Sequence, residues 1–399
     1  MKNFRKILLW ILVGLLSLGQ LQRIELSQFN SSVSIYFHDI LIIFIIFHVL
    51  FTNFKEIKFT IINYLKKEKK VLLFLFLLLF LQLLNIISGD YISLLYSLRL
   101  FLYIIFGISL SILIKNNKYD AEYFKFQLFS VGVISLFLGF FQYIFIKDTR
   151  FLSIFGWDDH YARLISTFFD PGFTGIIFLL TVLIGLSCKY IQNNTVKIIT
   201  VVLFIWGIIL TFSRASYLAL IVSLLLLATS YLKITIDSAK KIAIGLLFIA
   251  FLILLAPKPY GEGVNLLRTS TITARIAAIS KQLTSLSPKT LILGNGLFSE
   301  KNSLNYLSNE QNQLIPSHSR MPDNLFINVL LSTGIFGSLF FISILYDWAK
   351  RIRLKNSYIY AGFIALLVHS QFSNSLLQPF ILLLLLGGIA TLTTPKKIK

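Results

Sequence analysis

The chain has 399 residues, of which 56% are hydrophobic and only 14% charged, with 38 Phe. Soluble proteins carry about a quarter charged residues, so this composition excludes an ordinary globular enzyme and puts the chain in a bilayer. The formal net charge of +20 would suggest nucleic acid in a soluble protein, but the placement of the charges argues otherwise, and a single cysteine, Cys188, excludes an intramolecular disulfide and a cysteine metal site.

Met1 to Leu21 has a basic start, an apolar run and Ser17-Leu18-Gly19, the outline of a signal peptide. Many similar runs follow, so we read it as the first of a series of spans. A helix needs about 20 apolar residues to cross the core of a bilayer. On that template the sequence predicts twelve spans, near 6–22, 35–52, 70–88, 92–114, 124–146, 163–187, 196–212, 215–232, 241–256, 324–346, 357–374 and 377–394. Val196 to Ser230 holds only two charges, Lys197 at its start and Arg214 in its middle. As one helix it would be about 52 Å long, too long for the core, so Thr211-Phe212-Ser213-Arg214-Ala215-Ser216 is predicted to be a turn between two spans.

With the N-terminus placed in the cytoplasm, 24 Lys and Arg residues fall inside and 5 in the short outer loops. That is a strong positive-inside bias. It predicts both termini in the cytoplasm of a multi-pass cytoplasmic (inner) membrane protein, and it accounts for the net charge with no nucleic acid partner. The organisation expected is all-α and polytopic: spans one to nine over 1–256, a large extracytoplasmic loop over 257–323, and spans ten to twelve over 324–399. In the loop, Ile272, Ile276, Ile279, Leu283 and Leu286 recur at helical spacing. They predict an amphipathic helix near 272–286, lying on the outer membrane surface or on the bundle. Leu291-Ile292-Leu293-Gly294-Asn295-Gly296 reads as a short extended piece entering a turn.

This topology gathers scattered polar residues at the outer face. Arg163 and Asp170 fall at the outer end of the sixth span, Arg214 at an outer tip, and Arg268, Arg275, His318, Arg320 and Asp323 in the large loop. Arg99 lies in the outer half of the fourth span, where a charge is costly and points to function, or to a pairing with a neighbouring helix. Several guanidiniums on one face suggest a lipid-linked phosphate or diphosphate, because the planar fork matches phosphate oxygens. Each has a blander reading: Arg163 and Arg214 as headgroup anchors, Arg275 as the wet face of a helix, Asp323 as a helix cap. Trp157-Asp158-Asp159-His160 offers two carboxylates and an imidazole to a divalent ion. Short acidic loops are more often only solvated, so no metal is expected. No nucleotide-binding loop is present.

Three stretches together resemble the bacterial O-antigen polymerase and O-antigen ligase superfamily. They are Arg163-Leu164-Ile165-Ser166-Thr167-Phe168-Phe169-Asp170-Pro171, Leu210-Thr211-Phe212-Ser213-Arg214-Ala215-Ser216, and Leu293-Gly294-Asn295-Gly296 followed by the segment ending in Gly334-Ile335-Phe336-Gly337. The resemblance implies a glycosyltransferase of the GT-C type, without cofactor or metal, whose donor is a glycan on undecaprenyl diphosphate. It implies that Arg214 and Arg275 bind the diphosphate and that His318 serves as base. Ligases of the family carry a His-Asn pair entering the tenth span, and this chain has Asp323-Asn324. That departure turns the expectation toward a repeat-unit polymerase, with the ligase as alternative, and with a flippase and a chain-length regulator as partners beside membrane lipids. A transporter or flippase is the reading from another class. Transporters place polarity near the midplane, whereas here it collects at one face.

Overall fold

The structure, a computed structural model, describes residues 2–26, 33–67, 69–231, 236–257, 262–284, 286–302 and 322–393. Its helices are α1 (Lys2–Leu18), α2 (Phe37–Lys67), α3 (Lys69–Ile87), α4 (Tyr91–Lys115), α5 (Ala121–Phe145), α6 (Pro171–Leu186), α7 (Asn194–Leu210), α8 (Arg214–Tyr231), α9 (Ile236–Leu255), α10 (Ser270–Thr284), α11 (Pro288–Leu293), α12 (Leu325–Arg353), α13 (Ser357–His369) and α14 (Pro379–Ala390). A short antiparallel hairpin, β1 (Arg23–Leu26) with β2 (Val33–Tyr36), joins α1 to α2 and is the departure from an all-α chain.

Among the described residues, six segments are long and apolar enough to cross a membrane: Asn3–Gln22, Phe37–Phe59, Lys69–Ile87, Tyr91–Lys115, Ala121–Phe145 and Leu325–Arg353. Six shorter apolar helices occupy the places of the other expected spans. Leu72, Phe76, Leu83, Phe137, Phe141, Ile198 and Leu247 are among many large side chains left exposed. A soluble monomer rarely exposes so much contiguous apolar surface, and lipid is the solvent that suits it. The protein is a multi-pass helical membrane protein. Its core centres on α6, whose residues 174–185 are all buried, packed with α5, α13 and α14.

Two helices break where the sequence suggests one smooth span. Asn53 (φ −144°, ψ 28°) interrupts α2, so the apolar part is followed by a separately directed basic stretch. Gly334 (φ 64°, ψ −170°) interrupts α12. The carbonyls of Leu331 and Ser332 next to that break accept from Asn295 N and Gly296 N, both at 2.8 Å. The loop thus supplies donors at a place where the helix ladder is interrupted, as kinks within a bundle require. The approach is close enough to exclude a side chain: a Cβ on Gly334 would lie 2.1 Å from the Ile292 carbonyl oxygen, and one on Gly294 2.4 Å from the backbone of Ser332. The stretch expected to be extended before this turn is instead the helix α11, opened by Pro288 at its first turn and capped by Ser287.

The sixth expected span also starts late. Asp170 caps α6, accepting from Phe173 N at 2.6 Å, and Pro171 follows at the first helical position. The segment 162–169 before it holds only a short 3-10 turn, Ser166–Phe168, with Ala162, Ser166 and Phe169 at positive φ. The Gln142 side chain of α5 satisfies this buried backbone. It accepts from Ile165 N (3.0 Å) and Ser166 N (3.3 Å) and donates to the Arg163 carbonyl (3.3 Å).

Candidate functional site

The connections after α5, α7, α9 and α13 meet at one end of the bundle around a cavity of about 940 Å3. Five arginines line it, Arg150, Arg163, Arg214, Arg268 and Arg275, with Asp158, Asp159 and Asp170. Asp170, Pro171 and Gly172 bring the N-terminus of α6 to its wall, and Ser213, Arg214 and Ala215 that of α8. Helix N-termini present unpaired N–H groups and the positive end of the peptide dipole. Two such ends beside five guanidiniums make an anion-binding chamber, the arrangement expected of a phosphate site.

Each arginine is held differently. Arg163 is buried; its Nε donates to the Thr211 carbonyl at 2.9 Å and its Nη2 to the Phe212 carbonyl at 3.3 Å, closing the C-terminus of α7. Burial, then Arg268, lowers its pKa to about 10, so it stays charged at neutral pH. Arg214 is half-buried at the first position of α8, and its Nη1 donates to the Arg268 carbonyl at 2.8 Å. Arg268 donates to the Gly263 carbonyl. Arg275 reaches the cavity from α10 and has no hydrogen-bond or ion-pair partner among the described residues. Arg150, at the rim, is committed to Asp148 at 2.6 Å. The apolar stripe of α10 faces outward, with Ile272, Ile276 and Leu283 exposed, as a helix lying on a membrane surface requires.

The structure therefore brings together Arg163, Arg214, Arg268, Arg275 and Asp170, which the sequence marked separately. It leaves Arg99 out. That side chain forms a salt bridge with Asp39, Nε to Oδ2 at 3.1 Å, and lines a second, smaller pocket. The helix-pairing reading describes it better than a place among the diphosphate arginines. Asp323 is exposed just before α12 and lines that second pocket too. His318 and Arg320 lie outside the described residues. Arg150 was missed as a site residue, because a lone arginine in a short loop gives no periodic or motif signal.

The Trp157–His160 loop enters the same cavity. Asp158, His160 and Asp170 each offer one ligand atom, all within 4.8 Å of one another. The possible metal set thus differs from the contiguous trio that the sequence suggested, with Asp170 in the place of Asp159. Adjacent residues point apart, whereas a residue ten positions on can fold back. These carboxylates already face Arg163, and burial followed by Arg163 and Arg268 drives the His160 pKa down to about 3, leaving a neutral imidazole. Burial raises the Asp170 carboxyl, against the pull of the Phe173 amide and Arg163. The donor set fits a divalent ion in kind, but two guanidiniums beside it already supply positive charge.

The fold and the cavity together define a helical membrane protein with an arginine-lined chamber at one end of its bundle. Residues 199–342 match the family model described as O-antigen ligase. This stretch covers about a third of the chain, from α7 through the kinked part of α12, and includes Arg214, α10, the docked glycine loop and Asp323. Over that stretch the chain is similar to the O-antigen ligase family. No curated protein shows a significant match to it.

Proposed function

We propose that the protein is a membrane glycosyltransferase that joins undecaprenyl-diphosphate-linked repeat units into a surface polysaccharide at the outer face of the cytoplasmic membrane. The observation that carries this reading is the chamber of five arginines at two helix N-termini. A lipid diphosphate is a good leaving group, so the protein must stabilise its developing charge rather than activate the sugar with a nucleotide. An acceptor hydroxyl oxygen bonds to the anomeric carbon while the bond from that carbon to the diphosphate oxygen breaks. The electron pair leaves with the diphosphate toward Arg214 and Arg275. The hydroxyl proton passes to a carboxylate or imidazole, with Asp323 and His318 as the candidates. Placing this end outside, both termini inside and twelve crossings in between agrees with the charge count and with the meeting of alternate connections at the chamber. The GT-C class, the capsule or O-antigen destination and an accompanying flippase and chain-length regulator belong to the same proposal.

The test is Arg214→Lys beside Arg214→Ala. A point charge does not replace a planar fork, so both variants should insert and accumulate yet lose polymer about 100- to 1000-fold, leaving single repeat units. Wild-type chain length in Arg214→Lys would end the diphosphate-clamp reading. The family description favours a second reading, a ligase. In that case the variants would keep long chains but leave them on undecaprenyl diphosphate.

A further inference from the structure

Beside the arginine chamber lies a second pocket of about 160 Å3, and Ser373 lines both. Its walls carry six aromatic side chains, among them Tyr36, Tyr96, Trp157 and Phe298. The Tyr96 and Phe298 rings have centroids 5.7 Å apart. Two cations hold the platform: Arg99 sits 5.2 Å from the Tyr36 ring and 5.4 Å from the Tyr96 ring, and Arg23 5.3 Å from the Trp157 ring. Asp39 in turn fixes Arg99. Phe298 holds a left-handed backbone, φ 59°, a conformation that bulky residues adopt where the surroundings over-determine it.

Polar groups stand against these rings. Gln378 is only 7% exposed. Its Oε1 accepts from Ile381 N at 3.0 Å, while its Nε2 is buried without a partner among the described residues. An unmet buried donor costs about 1–3 kcal/mol, and this one belongs to a residue of the pocket wall. Asp323 supplies a carboxylate at the same pocket. Aromatic faces with a few placed polar groups suit a ring that is apolar on one face and hydroxylated at its edge.

We infer that this pocket seats a sugar ring of the acceptor glycan, with its reacting hydroxyl toward Asp323 and the neighbouring chamber. The inference rests on the glycosyl-transfer reading and names the second substrate of that reaction. Trp157 and Tyr96 grip the ring. The arrangement divides the labour: the chamber binds the charged carrier of the donor, and the pocket binds neutral sugar.

Trp157 is one of four tryptophans, so it can report on its own pocket. The full chain in detergent, with Trp10, Trp206 and Trp348 changed to Phe, is titrated with the free oligosaccharide released by mild acid from the lipid-linked repeat unit of cells lacking the protein. Saturable change in Trp157 emission is expected. Tyr96→Leu should weaken it about tenfold, a loss of some 1.4 kcal/mol, while Tyr96→Phe keeps it and Arg214→Ala leaves it unchanged. Undecaprenyl diphosphate binding, measured separately, should respond in the opposite way, to Arg214→Ala and not to Tyr96→Leu. Absence of an emission change, a change with detergent or lipid alone, or indifference to Tyr96→Leu would overturn the pocket. Saccharide binding as expected with undecaprenyl diphosphate indifferent to Arg214→Ala would support the pocket and sink the diphosphate reading alone.

Discussion

Arg163 Nε lies 2.9 Å from the carbonyl oxygen of Thr211, three residues before Arg214. One hydrogen bond therefore ties two of the stretches that carry the family resemblance. Arg163 closes the C-terminus of α7, and the turn it steadies sets the N-terminus of α8, where Arg214 begins. Arg163 is thus both a wall of the chamber and a strut for its neighbour.

This double role separates the two arginines experimentally. Arg163→Ala leaves two buried carbonyls without their charged donor, a loss of about 1.5–3 kcal/mol per such bond. The thermal midpoint of the detergent-solubilised protein should fall clearly, and polymer should be lost with it. Arg214→Ala, from a half-buried side chain, should lose polymer with a much smaller change in midpoint. Equal midpoints for the two variants would contradict the strut.

Gly334→Ala tests the docking of the large loop. The residue sits at φ 64°, and its new Cβ would collide with the Ile292 carbonyl oxygen. Strain of this kind costs on the order of 1–3 kcal/mol, and relief requires α11 to move off α12. Limited proteolysis should cut within 286–302 faster in the variant than in wild type. Unchanged protection would show that the Gly334 contact does not hold the loop.

The buried His160 makes stability pH-dependent in a known direction. Its pKa is near 3 in the fold, against about 6.5 in an unfolded chain. The unfolded state binds the proton first, so stability is full above pH 6.5 and is lost as pH falls toward 3. From pH 6.5 to 5 the loss is about 2 kcal/mol. His160→Gln should flatten the fall in thermal midpoint between pH 7 and pH 5. The same slope in both proteins would mean that His160 is protonated in the fold.

On the proposed glycosyl-transfer reading, a chelator distinguishes arginines from a metal as the holders of the diphosphate. With Arg163, Arg214, Arg268 and Arg275 around the chamber, polymerisation should survive chelation at wild-type rate. Loss of activity that a divalent ion restores, and that Asp158→Asn abolishes, would make Asp158, His160 and Asp170 ligands instead.

Much of this protein was legible in one dimension. Hydrophobic runs announce spans because a bilayer core has one thickness. The helix α10 followed from a 3.6-residue period, and Arg214 stood out as one charge in a long apolar stretch. The breaks did not follow. Asn53 and Gly334 interrupt runs whose composition reads as continuous, since whether a helix bends depends on what meets its carbonyls, and Asn295 and Gly296 meet those of α12 from about 35 residues away. Partners across the bundle were equally hidden. Arg99 and Asp39, 60 residues apart, pair only because α2 and α4 pack together. Asp170 rather than Asp159 joins Asp158 and His160, because the N-terminus of α6 and the 157–160 loop meet at the same cavity. The sequence by itself determined that a membrane protein gathers arginines at one face. Only the tertiary structure decided which of them share a chamber, because long-range packing, not local pattern, sets the distance between charges on different helices.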